Sequence, residues 1–325
     1  MKRLVIVALL VACKASSQNA IDAAISDSSG DDVGPDGAAH AIKTVFVIPM
    51  ENKANSAIYG NTTDAPYING LLTTMAAHAT KFGDELPALP SEPHYVWMEA
   101  GTNALGDKTF TTDADSSAGN STNNTQHLVA QLMTAGISWT SYQEGITSGT
   151  CPISSTGDYA AKHDPFVFFQ DIVGSPPSKS APICASHHKS YADFPADLAA
   201  GLTGYIYITP DLCHDMHGAA DCPSGTTDPS NIQAGDTWLS TELPRIVDYA
   251  NAHDGVVLIT WDEGDSSNLI PLLALGSHVK VNTTSATVYT HSSIIKSVDE
   301  LLGAPVLPSV ASANDFADMF DAGTF

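Results

Sequence analysis

Asp262 and Glu263 stand side by side just behind four consecutive apolar residues, Val256-Val257-Leu258-Ile259. Such a run reads as a strand buried on both faces. Two adjacent carboxylates at its mouth are costly unless a cation holds them. The arrangement occurs twice more. Thr44–Ile48 (TVFVI) leads through Pro49 and Met50 into Glu51 and Asn52. Tyr205–Ile208 leads through Thr209-Pro210-Asp211 into Cys213-His214-Asp215-Met216-His217. Capping of a following helix would account for one acidic pair. Three strand ends carrying acids, an amide and histidines point instead to a metal site at one sheet edge, where open α/β folds bind ligands. Oxygen donors such as Glu51, Asn52, Asp262 and Glu263 suit a divalent cation, whose identity and number (one or two) stay open.

A hydroxyl nucleophile needs a base or a metal to activate it. Ser91 is the candidate, because Pro90 and Pro93 flank it in Pro90-Ser91-Glu92-Pro93. That spacing predicts a rigid turn, with a helix starting at Pro93. No G-x-S-x-G elbow occurs, so an α/β-hydrolase reading has no support. His163, ahead of Asp164-Pro165, and His291, in Tyr-Thr-His-Ser-Ser, can ligate a metal or bind phosphate. His187 and His188 lie among Ser and Lys and read as surface residues.

The elements that must position these groups alternate between strand and helix. Helical spacing covers 65–78, 126–135, 237–251 and 292–302, the last stopped by Gly303. Strand candidates cover 137–142 and 270–275 besides the three acid-bearing ones. Phe166–Phe169 is aromatic and expected to pack inward. The segment 13–42 is rich in Ala, Ser, Asp and Gly and cannot bury enough apolar surface to fold.

The chain has 325 residues and a formal charge of −23. That surface repels nucleic acid and anionic membranes, so no nucleic-acid partner is expected. An anionic substrate would need a metal ion to reverse the local potential. Lys2 and Arg3 precede an apolar stretch, Leu4–Ala12, too short to span a bilayer. Leu10-Val11-Ala12-Cys13 resembles the lipobox of bacterial lipoproteins, which implies cleavage before Cys13 and acylation of its thiol. Of the five cysteines, the remaining four suit two disulfides in an oxidising compartment. Three pairings are possible, and the short loop favours Cys213–Cys222 with Cys151–Cys184. Four reduced thiols, or Cys213 as a metal ligand, are the alternatives.

Eight stretches taken together, in order, resemble the bacterial and fungal phosphoesterase family of acid phosphatases and phosphatidylcholine-type phospholipases C, within the alkaline phosphatase superfamily. They are VFVIPMEN, LPSEPHY with Gly101, GISWTSYQEG, KHDPFVFF, YITPDLCHDMHG, GDTWLSTELPRI, LITWDEGD and YTHSSIIKSVDELLG, spanning roughly 43–305. The resemblance implies an α/β three-layer sandwich around a central, mostly parallel sheet. With the lipobox and the linker composition, the chain is expected to divide into a lipoprotein signal peptide (1–12), an acidic flexible linker (13–42) and a catalytic domain (43–325). It implies metal ligation by Glu51, Asn52, Ser91, Asp262 and Glu263. It gives phosphate-side or second-metal roles to His163, Asp215, His217 and His291. His94 is a departure, since the family often has Asn there.

The implied chemistry is metal-dependent hydrolysis of phosphate esters through a phosphoserine on Ser91, with His291 or His217 as the acid for the leaving group. A phospholipase C-type phosphodiesterase and a non-catalytic surface-binding lipoprotein are the competing readings. The expected partners are a small phosphorylated substrate or phospholipid head group, and the membrane of a bacterial cell envelope through the lipid anchor.

Overall fold

The computed structural model describes residues 42–325. The expected signal peptide, linker and Cys13 lie outside the described residues. The strands are β1 (Thr44–Met50), β2 (Ala77–Ala79), β3 (Phe82–Gly83), β4 (Trp139–Gln143) and β5 (His188–Ser190). They continue with β6 (Gly204–Thr209), β7 (Gly255–Trp261), β8 (Leu272–Gly276), β9 (Thr284–Ser285) and β10 (Tyr289–Thr290). The helices are α1 (Asn55–Ile58), α2 (Pro66–Thr74), α3 (Ser91–Ala100), α4 (Leu128–Thr134) and α5 (Gln170–Val173). After these come α6 (Pro182–His187), α7 (Phe194–Ala200), α8 (Asp228–Ala252) and α9 (His291–Leu301).

Eight strands form one sheet in the order β5-β4-β6-β1-β7-β8-β2-β9, and β3 and β10 pair separately. From β5 to β7 every neighbouring pair is parallel, while β8 runs antiparallel to β7. The fold is therefore α/β with a mostly parallel central sheet, as the family resemblance implies. Every residue of β1, β6 and β7 is buried, so both faces of the sheet centre are covered. On one face Phe46 meets Phe194 of α7 and Tyr249 of α8 edge-on. The opposite face carries Tyr205 and Tyr207, and Tyr207 packs on Phe166. Phe166–Phe169 is buried throughout, as expected.

Several elements depart from the sequence expectations. The helix expected over 65–78 stops at Thr74, and Ala77–Ala79 instead joins the sheet between β8 and β9. Ladder pairing there outweighs local helical spacing. The helix expected over 237–251 starts at Asp228 and runs 25 residues, with Pro244 exposed inside it. No helix follows Asp262-Glu263 before β8, which removes the capping alternative for that pair. Both disulfides form as paired in the sequence reading, Cys151–Cys184 and Cys213–Cys222. Among the described residues no helix is long and apolar enough to cross a membrane.

Candidate metal centre

Because β6, β1 and β7 are adjacent and parallel, their carboxyl ends open onto one edge. Register places Met50 beside Trp261, so Glu51 and Asp262 leave the sheet together. Asn52 then takes φ 51°, a left-handed conformation that Asn tolerates better than most residues. Its backbone N–H donates to Asp262 Oδ1 at 2.9 Å. Its side-chain amide lies 2.9 Å from Glu51 Oε2 and 3.0 Å from Asp262 Oδ1 when the nitrogen faces them. Turned over, the amide presents its oxygen beside the acids as a further ligand. From β6, the Glu51 N–H donates to the Asp215 carbonyl at 2.7 Å, tying the third strand end to the first.

Ser91 does not lie in a turn ahead of a helix; it is the first residue of α3. Pro93 fits inside the first turn because the N–H it lacks has no partner there. Ser91 Oγ lies 3.2 Å from Glu51 Oε2 and 3.3 Å from Glu263 Oε1. The positive end of the helix macrodipole therefore points at the acids. Asp113 Oδ1 accepts the Glu92 N–H at 3.0 Å and caps the helix, while Asp113 Oδ2 holds Lys162 Nζ at 2.6 Å. Gly101 closes α3 with φ 65°, and a Cβ there would sit 2.3 Å from Val310 Cγ1.

The histidines divide. His163 Nε2 lies 3.2 Å from Glu51 Oε1 and Nδ1 3.3 Å from Asp215 Oδ2. His217 sits beside it with ring centroids 5.9 Å apart, its Nδ1 2.8 Å from the Gly218 carbonyl. Gly218, at φ 78°, leaves no room for a Cβ against Asn231, and Asn231 Nδ2 holds the His217 carbonyl. His291 starts α9 and gives its Nε2 proton to the Trp261 carbonyl at 2.9 Å. Burial depresses its pKa to about 4, so the ring is neutral. With Nε2 donating, Nδ1 is left with a lone pair and no partner. His214 faces Glu144 and Asp211, apart from the centre.

His188, expected at the surface, is fully buried, with Nε2 2.9 Å from Asp164 Oδ2 and its ring beside Cys184. That pair, next to the Cys151–Cys184 bridge, anchors the turn presenting His163. Alternation along β5 could have suggested an inward His188 beside an outward Lys189. Asp84 on His94 and Asp113 on Lys162 were also missed, because nothing in local spacing signals contacts between distant loops.

Glu51, Asp215 and Asp262 are fully buried. Burial raises the pKa of each; Asp262 and Asp215 raise Glu51 further, and Asp262 raises Asp215. Burial and Asp262 raise Glu263 to about 7. Burial drives His163 the other way, toward the neutral ring. His94 differs: burial would lower it, but Asp84, then Asp262, raise it to about 9. The nearby lysines are engaged elsewhere, Lys53 with Asp228 and Lys162 with Asp113. Glu51 Oε1, Asp215 Oδ2, His163 Nε2 and His291 Nδ1 are buried without hydrogen-bond partners. Ligand atoms of Glu51, His163 and Asp215 lie within 4.8 Å of one another, and such orphaned atoms in a buried acidic pocket fit a bound divalent cation.

The Phosphoesterase family model matches residues 64–305. The chain is 28% identical over 288 residues to a phosphatidylinositol-3-phosphatase of Mycobacterium tuberculosis, covering 87% of this chain and 85% of that protein. It is 30% identical over 234 residues to an acid phosphatase of Aspergillus fumigatus, covering 67% of this chain and 47% of that one. A phosphate-repressible acid phosphatase of Penicillium chrysogenum is 29% identical, with 67% and 50% covered. The chain thus spans about half the length of these fungal relatives. Its fold is shared with an alkaline phosphatase superfamily protein from Vibrio parahaemolyticus, at TM-score 0.56 and 12% identity over 83% of this chain and 68% of that one. A phosphonate monoester hydrolase from Silicibacter pomeroyi gives 0.54 and 12%, over 85% and 76%. This chain belongs to the Phosphoesterase family and is a hydrolase acting on phosphate ester bonds.

Proposed function

We propose that the protein is a metal-dependent phosphomonoesterase working through a phosphoserine on Ser91. The observation that carries this reading is the Ser91 hydroxyl at a helix N-terminus, 3.2 and 3.3 Å from two carboxylates of a buried, cation-poor cluster. Glu51, Asn52, Ser91, Asp262 and Glu263 would hold one divalent ion. Asp215, His163 and His291 would hold a second ion. A bound ion would lower the pKa of the Ser91 hydroxyl and offset charge on the phosphoryl group.

The chain's own groups then carry the protons. Ser91 Oγ attacks phosphorus in line and its proton passes to Glu263, whose Oε1 the hydroxyl already faces at 3.3 Å. The ester oxygen leaves as an alcohol, protonated by His217. Water next attacks the phosphoserine and gives a proton to His217, phosphate departs, and Ser91 recovers its proton from Glu263. Relatives named as phosphatidylinositol-3-phosphatase and acid phosphatases support a monoester substrate, free or on a lipid head group. The two disulfides support export to an oxidising compartment. Acylation of Cys13 would then keep the enzyme at an envelope membrane.

The test is p-nitrophenyl phosphate hydrolysis with chelator, followed by metal add-back, and acid-quenched mass mapping of Ser91. Activity should vanish with chelator, return with a divalent ion, and leave phosphate on Ser91. Chelator-insensitive turnover, or quenched enzyme never phosphorylated at Ser91, would refute the mechanism.

A further inference from the structure

His94 lies three residues after Ser91 on α3 and is fully buried. Its Nε2 faces two acceptors, Asp84 Oδ1 at 2.9 Å and the Leu86 carbonyl at 3.0 Å. Nε2 therefore carries a proton. Nδ1 is buried and has no hydrogen-bond partner. One ring nitrogen of His94 and one carboxylate oxygen each from Asp262 and Glu263 lie within 4.8 Å of one another. Asp84 and the Leu86 carbonyl already occupy Nε2, so Nδ1 is the ring nitrogen left free to meet an ion held by these acids.

We propose that His94 is a nitrogen ligand of the ion held by Asp262 and Glu263, and that Asp84 is the carboxylate fixing its ring for that task. This rests on the metal-dependent reading above. A metal-ligating histidine commonly donates its other ring N–H to a carboxylate or carbonyl, which sets its tautomer and strengthens it as a donor. Asp84 and the Leu86 carbonyl supply both. Without His94, the proposed ligands are all oxygens, a set that suits Ca²⁺ or Mg²⁺. Adding an imidazole moves the preference toward Zn²⁺ or another borderline ion such as Co²⁺.

The experiment is calorimetric titration of the full-length metal-free protein with Zn²⁺, Co²⁺ and Ca²⁺, together with the visible spectrum of the Co²⁺ form. His94→Asn should weaken Zn²⁺ and Co²⁺ binding by about 10- to 100-fold, change Ca²⁺ binding less than about threefold, and alter the Co²⁺ absorption. Asp84→Asn keeps the imidazole and most of the packing; it should weaken Zn²⁺ in the same direction, which covers the case in which His94→Asn fails to fold. Wild-type Zn²⁺ affinity and an unchanged Co²⁺ spectrum in His94→Asn would reduce His94 to an ion-pair partner of Asp84 and overturn the proposal. Wild-type protein that binds no divalent ion would instead sink the metal-dependent reading on which it rests.

Discussion

Two buried clusters of this molecule surround histidines with carboxylates, and they are built to opposite ends. At the far end of α3, His127 Nδ1 lies 2.7 Å from Glu99 Oε1, and Nε2 lies 3.0 Å from Asp171 Oδ2. The Val129 N–H also donates to Glu99, and the ring stacks on Phe169 at 4.1 Å. Both ring nitrogens are bonded to acids, so an imidazolium sits between two carboxylates and the charges nearly close. Burial alone would lower the His127 pKa, but Asp171 and Glu99 raise it to about 9. At the near end of the same helix, Glu51, Asp215, Asp262 and Glu263 crowd around Ser91 with too little positive charge and several unpartnered atoms. One cluster is complete as folded and joins α3 to α4 and α5. The other has more buried acid than the nearby imidazolium of His94 can offset, and a deficit of that kind marks a binding site.

The comparison breaks most sharply at Ser91. Ser91→Ala should cut p-nitrophenyl phosphate turnover by about 10³-fold or more. Divalent-ion binding, read by calorimetry, should persist, because the acids remain; full turnover in that variant would end the nucleophile assignment. Neutralising one acid in each cluster should move stability in opposite directions. Glu99→Gln leaves the His127 imidazolium half-paired and should cost about 3 kcal/mol in urea unfolding. Asp262→Asn should lose metal binding and activity, yet stabilise the metal-free protein by about 1 kcal/mol, because it relieves repulsion among buried acids. Equal destabilisation in both would show that the two clusters are alike.

Removal of the Cys213–Cys222 bridge by paired Cys→Ala substitution should lower stability by about 2 kcal/mol. It should also raise KM severalfold, because the loop carries Asp215 and His217; an unchanged KM would separate that loop from the site. The smallest effect is on pH. His127 has a folded-state pKa near 9, above its ordinary 6.5, so the folded state binds this proton more tightly. Its stabilisation is complete below about pH 6.5 and is lost as pH rises through 9. Unfolding free energies of His127→Gln should lack that alkaline slope, and a slope identical to wild type would place the titration elsewhere.

The acid-bearing strands were legible in the sequence because strands buried on both faces are nearly pure apolar runs, and the residues after them stand out. Glu51, Asn52, Asp262, Glu263 and Ser91 do meet at one edge. The form in which Ser91 is presented was not legible: Pro90 and Pro93 look like turn punctuation, yet Pro is compatible with a first helical turn. His188 was misplaced because its neighbours are polar, while its burial depends on pairing between β4 and β5, residues far apart in the chain. Neither Asp84 on His94 nor Glu99 on His127 leaves a local trace. Such pairs arise from how loops fold over one another, which periodicity does not encode.

The order of the central strands also bears on how the molecule is made. β1 begins the described domain, but its two partners, β6 and β7, come much later. Asn52 and Asp262 are separated by 210 residues, and Ser91 and Glu263 by 172. Loops of that length close slowly, and long-range parallel pairing delays the transition state. A chain emerging from synthesis or export therefore has no hydrolytic centre until β7 docks against β1. In refolding, far-UV signal from α2, α4 and α8 should return well before phosphatase activity does. Hydrolysis is then a late event in the life of each molecule, withheld until nearly the whole domain has been threaded into place.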